Sequence, residues 1–470
     1  MLFSSTTFLF VFLPFTLTVY YLINLKLRNF FLLFASLLFY AWGEPSFVFV
    51  MIGSILFNYF IGLAIAYAKI HWNIFLNRCV LFVTVAGNLS ILFYYKYFDF
   101  FVSNVNAIFG SNIPLRAIIL PIGISFFTFQ GMSYVLDLYM GKVTVQKNPF
   151  VIALYISLFP QLIAGPIVRY IDVCAQIKQR STSLNQFIDG VKRFIIGLGK
   201  KVLIANTFAI VADRTFGLGH ESLSVVAAWF GAIAYTLQIF FDFSGYSDMA
   251  IGLGKMFGFE FLENFNYPYI SRSITEFWRR WHISLSTWFK DYLYIPLGGN
   301  RKGNVYVNLF IVFLVTGLWH GAARTFVLWG IWHGLFLIIE RVCKKKKINL
   351  RVPKFLNWIY MILVVMFGWV IFRAASLHGA YDYIKCMFGL FNNQFTDVTS
   401  ALIFSENWIM FTIAVVACVP LTTSIGAIHK RNILAKSYAV VSTVAYMVLF
   451  IVCATYIING SYNPFIYFNF

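Results

Sequence analysis

The chain has 470 residues, of which 60% are hydrophobic, 20% aromatic and only 11% charged. So small a charged fraction cannot cover the surface of a water-soluble domain, and the composition specifies a polytopic membrane protein. The formal net charge of +19 does not signify nucleic acid, because the basic residues lie between apolar segments, the pattern that orients a protein in a bilayer.

The six cysteines (Cys79, Cys174, Cys343, Cys386, Cys418 and Cys453) are scattered, mostly inside or beside apolar segments. They form no CxxC pair and no Cys/His metal spacing, so they read as small buried hydrophobes. Neither a disulfide framework nor a bound metal is expected.

Apolar stretches approaching the spanning length of about 20 residues fall at 4–23, 29–42, 47–67, 79–95, 114–138, 187–212, 223–243, 305–319, 325–339, 355–371, 409–425 and 438–458. A further stretch, 151–164, is interrupted by Pro160 and closed by Gly165 and Pro166. It reads as a re-entrant element, tolerated at membrane depth only where protein or water covers the loose backbone. No Lys or Arg precedes the first apolar segment, whereas Lys26 and Arg28 follow it. A secretory signal has the opposite order, so an uncleaved first helix with its N-terminus outside is expected. The later basic loops then all face the cytoplasm: Lys69 and Arg78, Lys142 and Lys147, Lys178 and Arg180, 272–302, 344–347, and Lys430, Arg431 and Lys436. The C-terminus returns outside, and 374–406 reads as an external loop. With no repeat, linker or low-complexity tail, residues 1–470 form a single predicted domain. The runs GLGKK (197–201) and GLGK (252–255) lack the phosphate-loop pattern; they read as close helix packing through glycine with interfacial lysines.

Chemistry concentrates in 273–334, which holds three of the seven histidines. Polar groups at membrane depth are costly and mark function by default. His320, in GLWHG, ends an apolar segment, and a neutral imidazole there suits a general base acting on a hydroxyl. His282, in FWRRWHISLS, belongs to an amphipathic segment in which Arg279, Arg280 and Lys290 read as snorkelling basics of an interfacial helix. His333, in WGIWHG, suits a supporting hydrogen bond better than catalysis. Gln238, Asp242, Ser244, Ser247 and Asp248 form a polar island that reads more readily as a structural cluster than as a cation site. The segments 121–139, with Gln130, and 159–170, with Gln161, look like broken helices lining a cavity. HExxH, GxSxG and a Cys nucleophile beside His are all absent from the sequence.

The ordered set PIGISFFTFQ, FPQLIAGPI, FDFSGYSDMAIG, FWRRWHISLSTWFKDYLYIPLGGN, GLWHG and WGIWHG resembles the membrane-bound O-acyltransferase family, over nearly the whole chain. Within it the pattern is most similar to the bacterial alginate O-acetyltransferase type, with the teichoic-acid D-alanyl transfer protein a more distant likeness. The resemblance implies an all-α ring of about 11–13 tilted transmembrane helices, with re-entrant and interfacial helices around a central tunnel. It implies that His320 matches the family's nearly invariant histidine, the catalytic base, and His282 its second position, orienting substrate or steadying the oxyanion. Trp278, Trp281, Trp319, Ser284, Gln130, Gln161 and Asp242 become candidate tunnel-lining residues, and His333 a supporting one. It also implies a cytoplasmic thioester donor, acetyl-CoA or an acyl-carrier protein, and a polysaccharide acceptor reached directly or through an extracytoplasmic SGNH-type partner. The location implied is the inner or plasma membrane. The readings that compete are D-alanyl transfer to teichoic acid and a transporter or flippase without acyl chemistry.

Overall fold

The computed structural model describes residues 1–71, 73–163, 165–219, 221–347, 352–420, 435–460 and 462–466. Among them the protein is helical, without strands. Nine helices among the described residues are long and apolar enough to cross a membrane, so this is a multi-pass membrane protein. Lys430 and Arg431 of the last basic loop, and the end of the 409–425 stretch, lie outside the described residues. The chain divides into two compact units: Met1–Phe194 with Met249–Leu262, and Ile195–Asp248 with Glu263–Phe470.

The first unit opens with α1 (Phe8–Leu22), α2 (Leu25–Gly43), α3 (Val48–His71) and α4 (Ile74–Phe109). Phe12 and Phe39 pack on Phe159, with ring centroids 5.3 and 5.5 Å away. Asn58 of α3 and Asn88 of α4 exchange amide hydrogen bonds of 3.0 Å, a reciprocal polar lock between two apolar helices. The predicted span 114–138 is not one helix. Pro121 and left-handed Gly123 (φ 76°) delay the start, so α5 is Ile124–Tyr139 and is buried along most of its length. The 151–164 stretch is broken as expected: α6 (Pro149–Ser157) stops at Leu158, and α7 (Phe159–Leu162) restarts with Pro160 in its first turn. Gln130 and Gln161 are buried here. Gln161 Nε2 donates to the Tyr155 carbonyl at 2.5 Å, and the Tyr155 hydroxyl bonds the carbonyls of Gln130 and Val168. After α8 (Tyr170–Lys178) come α9 (Leu184–Gly217) and α10 (Val225–Met256).

The GLGK glycines do serve close packing. A Cβ on Gly252 would sit 2.6 Å from the Gly190 carbonyl, and one on Gly245 would sit 2.8 Å from that of Gly197. The lysines correct the expectation. A π-turn at Lys200–Ala205 swings Lys200 and Lys201 inward. Lys200 pairs with Asp248 at 2.7 Å and Lys201, almost fully buried, with Asp242 at 2.6 Å. Lys201 is thus a core cation that neutralises a carboxylate which burial would otherwise penalise, whereas the Lys200 side chain keeps 24% of its surface exposed.

The second unit continues with α11 (Ile274–Arg280), α12 (Ile283–Phe289), α13 (Val305–His320), α14 (Arg324–Lys345) and α15 (Lys354–Arg373). The 374–406 stretch is more than a loop: α16 (Leu377–Met387) lies within it, and α17 starts at Val398 and runs to Ala417. The Asp397 side chain accepts from the Ser400 backbone N–H at 2.9 Å, which caps α17 well before its apolar run begins. The last described helix is α18 (Ala435–Ile458).

Candidate active site

The amphipathic segment folds as two short helices with a sharp turn between them. The Glu340 carboxylate of α14 accepts the backbone N–H groups of Ile274 and Thr275 at 2.6 and 2.9 Å, so an anion from one helix caps the start of another. Between α11 and α12 stands His282, with φ 45° and ψ 54°. A non-glycine residue in this left-handed region is strained, and such strain persists where the surroundings over-determine it. Backbone bonds supply the constraint: Asn266 N–H donates to the Arg280 carbonyl and Ile283 N–H to that of Asn264, both at 2.9 Å. The single interfacial helix expected for this segment is thus replaced by a turn that drives His282 into the core.

Aromatic rings gather the three histidines into one layer. The His282 ring lies 4.6 Å from Phe243 and 6.0 Å from Trp319. His320, the last residue of α13, stands 5.0 Å from both Trp319 and Trp329 and 5.3 Å from Phe372. His333 is 5.1 Å from Trp329 and from Trp278. Its Nδ1 accepts from the Trp278 indole N–H at 3.4 Å. An indole nitrogen only donates, so the proton of neutral His333 rests on Nε2. While that bond holds, neither nitrogen of His333 is free to take up a proton, and the ring acts as a support.

Two cavities flank this layer. One, of about 210 Å³, is lined by Trp278, Arg279, Leu285, Phe289, Lys290 and Val312 among others. The other, of about 370 Å³, is bordered by Gln238, Thr325, Phe326, Phe372, Arg373 and Tyr462 among others. Their order is read along α14. Thr325 and Phe326 face the second cavity and Leu337 the first, with Trp329 and His333 between. At 1.5 Å per residue that interval is about 16 Å. Trp329, fully buried, separates the two, touching Trp278 on one side (5.6 Å) and Phe372 on the other (5.2 Å).

His282, His320, His333, Trp278 and Trp319 therefore come together, with Ser284 hydrogen-bonded beside His282. Trp281 is a core residue, packed 4.9 Å from Trp369 and 5.1 Å from Phe265. Asp242 is engaged by Lys201 and accepts the Ile466 N–H at 2.9 Å, and Lys201 also donates to the Pro464 carbonyl. Gln130 and Gln161 belong to the first unit. Asn264, Trp329 and Phe372 were missed from sequence. Trp329 opens WGIWHG, a motif read for its histidine, whereas Asn264 and Phe372 carry no motif, and only the alternation of aromatic and polar residues in ENFNYPY hints at Asn264. Among the described residues no three His, Cys, Asp or Glu side chains are placed to hold a metal ion.

These features define a multi-pass membrane protein with imidazoles buried between two cavities. The sequence model of MBOAT, the membrane-bound O-acyltransferase family, matches residues 146–381. Over its full length the chain is 42% identical to "Probable alginate O-acetylase AlgI" of Pseudomonas putida, all of which is covered. It is 35% identical to the peptidoglycan O-acetyltransferase of Helicobacter pylori, over all of this chain and 98% of that one. It is 27% identical to the teichoic acid D-alanyltransferase of Bacillus subtilis, over 56% of this chain and 71% of that one. The chain belongs to the membrane-bound O-acyltransferase family, and it is an O-acyltransferase enzyme.

Proposed function

We propose that this enzyme moves an acetyl group from a cytoplasmic thioester, acetyl-CoA or an acyl-carrier protein, to hydroxyls of a cell-envelope or exported polysaccharide. The observation that carries the reading is the buried histidine layer with a cavity on each side. A thioester arm enters the cavity walled by Trp278, whose rim residues Arg279 and Lys290 suit an anionic donor. The hydroxyl approaches from the cavity beside Phe372. His320 takes the hydroxyl proton as the oxygen attacks the thioester carbonyl. The carbonyl–sulfur bond then breaks, and the proton passes to the departing thiolate to give the free thiol. A base of this kind contributes about 10²–10⁴-fold, and the dry aromatic walls hold the reactants in register and exclude water. The names of the alginate and peptidoglycan relatives support a polysaccharide acceptor; an SGNH-type partner outside an inner or plasma membrane relays the group where transfer is indirect.

The test is reconstitution in liposomes with labelled acetyl-CoA outside and an acceptor polysaccharide inside. Label on sugar hydroxyls with the wild type and none with folded His320→Ala is the expected result. Label only with a D-alanyl carrier donor moves the donor assignment to the teichoic-acid relative. Passage of a substrate without acyl transfer replaces the enzyme reading with transport.

A further inference from the structure

Asn264 is fully buried, and three groups converge on its side-chain oxygen. The Ser284 backbone N–H lies 3.2 Å from Oδ1, the Ser284 hydroxyl 2.8 Å and His282 Nδ1 3.2 Å. A backbone N–H only donates, so the atom that meets it is the amide oxygen and not the amide nitrogen. That oxygen carries no hydrogen, so His282 Nδ1 supplies the proton of their bond. The opposite tautomer would set two lone pairs against each other at 3.2 Å. The Ser284 hydroxyl, 3.5 Å from Nδ1, does not relieve this, because its hydrogen is directed at Asn264. A neutral imidazole has one N–H. With the proton on Nδ1, Nε2 is a bare lone pair, buried and without a hydrogen-bond partner among the described residues.

We infer that Asn264 is a positioning residue for the acyl transfer: it selects the Nδ1–H tautomer of His282 and turns the Nε2 lone pair toward a hydrogen-bearing group of the substrate. The inference rests on the acyltransferase reading above and revises one part of the sequence expectation. Neutral His282 has no hydrogen at Nε2 to offer an oxyanion, so its part is to accept. The matching substrate chemistry is an O–H or N–H donor, either the acceptor hydroxyl or an amide of the thioester arm. The left-handed backbone of His282 and the hold of Asn264 on the start of α12 make one device, since both fix the direction of the ring.

An amide suits this place better than a carboxylate would. The rings packed on His282 are Phe243, Phe265 and Trp319, and among the described residues no charged group acts on it. The other titratable ring nearby is His320, across Trp319. Burial alone acts on the imidazole and holds it well below the ordinary histidine range, in its neutral form. A carboxylate at position 264 would stabilise the imidazolium and so protonate the accepting nitrogen.

The experiment compares wild type, Asn264→Asp and Asn264→Leu as purified full-length proteins, each with His282→Gln as an assignment control. Nitrogen NMR of ¹⁵N-histidine-labelled protein in detergent reads the tautomer without reference to activity. A bare Nε2 on His282 in the wild type, lost or mixed in Asn264→Leu, is expected; a protonated Nε2 in the wild type overturns the inference even if the enzyme is active. In the transfer assay the acidic limb of the pH–rate profile of Asn264→Asp moves up by about 1–2 units, because activity is lost once Nε2 is protonated. Asn264→Leu lowers kcat by about 10–100-fold. A raised KM for polysaccharide identifies the hydroxyl as the partner, and a raised KM for thioester the donor arm. An Asn264→Asp profile that superimposes on the wild type refutes the positioning role. Absence of transfer by the wild type removes the proposed function instead, leaving the tautomer measurement to judge the rest.

Discussion

Replacing Gly330 with alanine separates the site's geometry from its chemistry. Gly330 lies on α14 where it crosses α13, one residue after Trp329. A Cβ there would stand 2.5 Å from the Phe313 carbonyl oxygen and 3.2 Å from the Gly317 Cα. Both neighbours are backbone, so no rotamer change relieves the clash. Restoring a contact of about 3.5 Å requires the two helices to part by about 1 Å. Overpacking of this kind costs about 1–3 kcal/mol, which leaves a folded protein. The site is affected far more, because His320 ends α13 while Trp329 and His333 ride on α14. A 1 Å misplacement of reacting groups costs on the order of 10²-fold. The assay is the initial rate of acyl transfer in membranes, normalised to folded protein by fluorescence-detected size exclusion. Gly53→Ala is the control, since nothing lies within 4 Å of a Cβ there. Near wild-type turnover by well-folded Gly330→Ala would show that the α13–α14 crossing does not set the catalytic geometry.

Asp242→Ala strands the Lys201 cation in the interior and should lower stability by about 3–5 kcal/mol; Lys201→Met combined with Asp242→Leu should recover much of it. Thermal unfolding in detergent measures both, and an unchanged melting temperature for Asp242→Ala argues against a buried pair. His333→Ala should lower turnover without abolishing it, since the ring supports Trp278 and takes no proton; complete loss with the fold intact would assign His333 to the chemistry. His282→Asn should keep more activity than His282→Ala, because it retains an acceptor at the position, and equal loss in the transfer assay would contradict that role. Single cysteines in the 344–347 loop should resist impermeant maleimide added to intact cells, and labelling from outside would invert the orientation argued from the Lys/Arg distribution.

Composition and hydropathy determined by themselves that this chain lives in a bilayer, and local spacing singled out His282, His320 and His333. Those signals survive because they are local: a low charged fraction, or a histidine between tryptophan and glycine, reads the same in any fold. The break near Leu158 was equally legible, since proline removes a donor wherever it stands. Hydropathy overreached at 114–138, where an apolar run says nothing about whether Pro121 and Gly123 permit a helix. It also cannot tell a helix buried in protein, such as Ile124–Tyr139, from one facing lipid, because both environments select the same side chains. What only the tertiary structure decided are the pairings across sequence: Lys201 with Asp242, Trp278 with His333, and Asn264 with His282. No periodicity links such partners. Each is specified by helices crossing at fixed distances, at Gly317 and Gly330 above all, and by the left-handed turn that brings His282 in from an amphipathic surface.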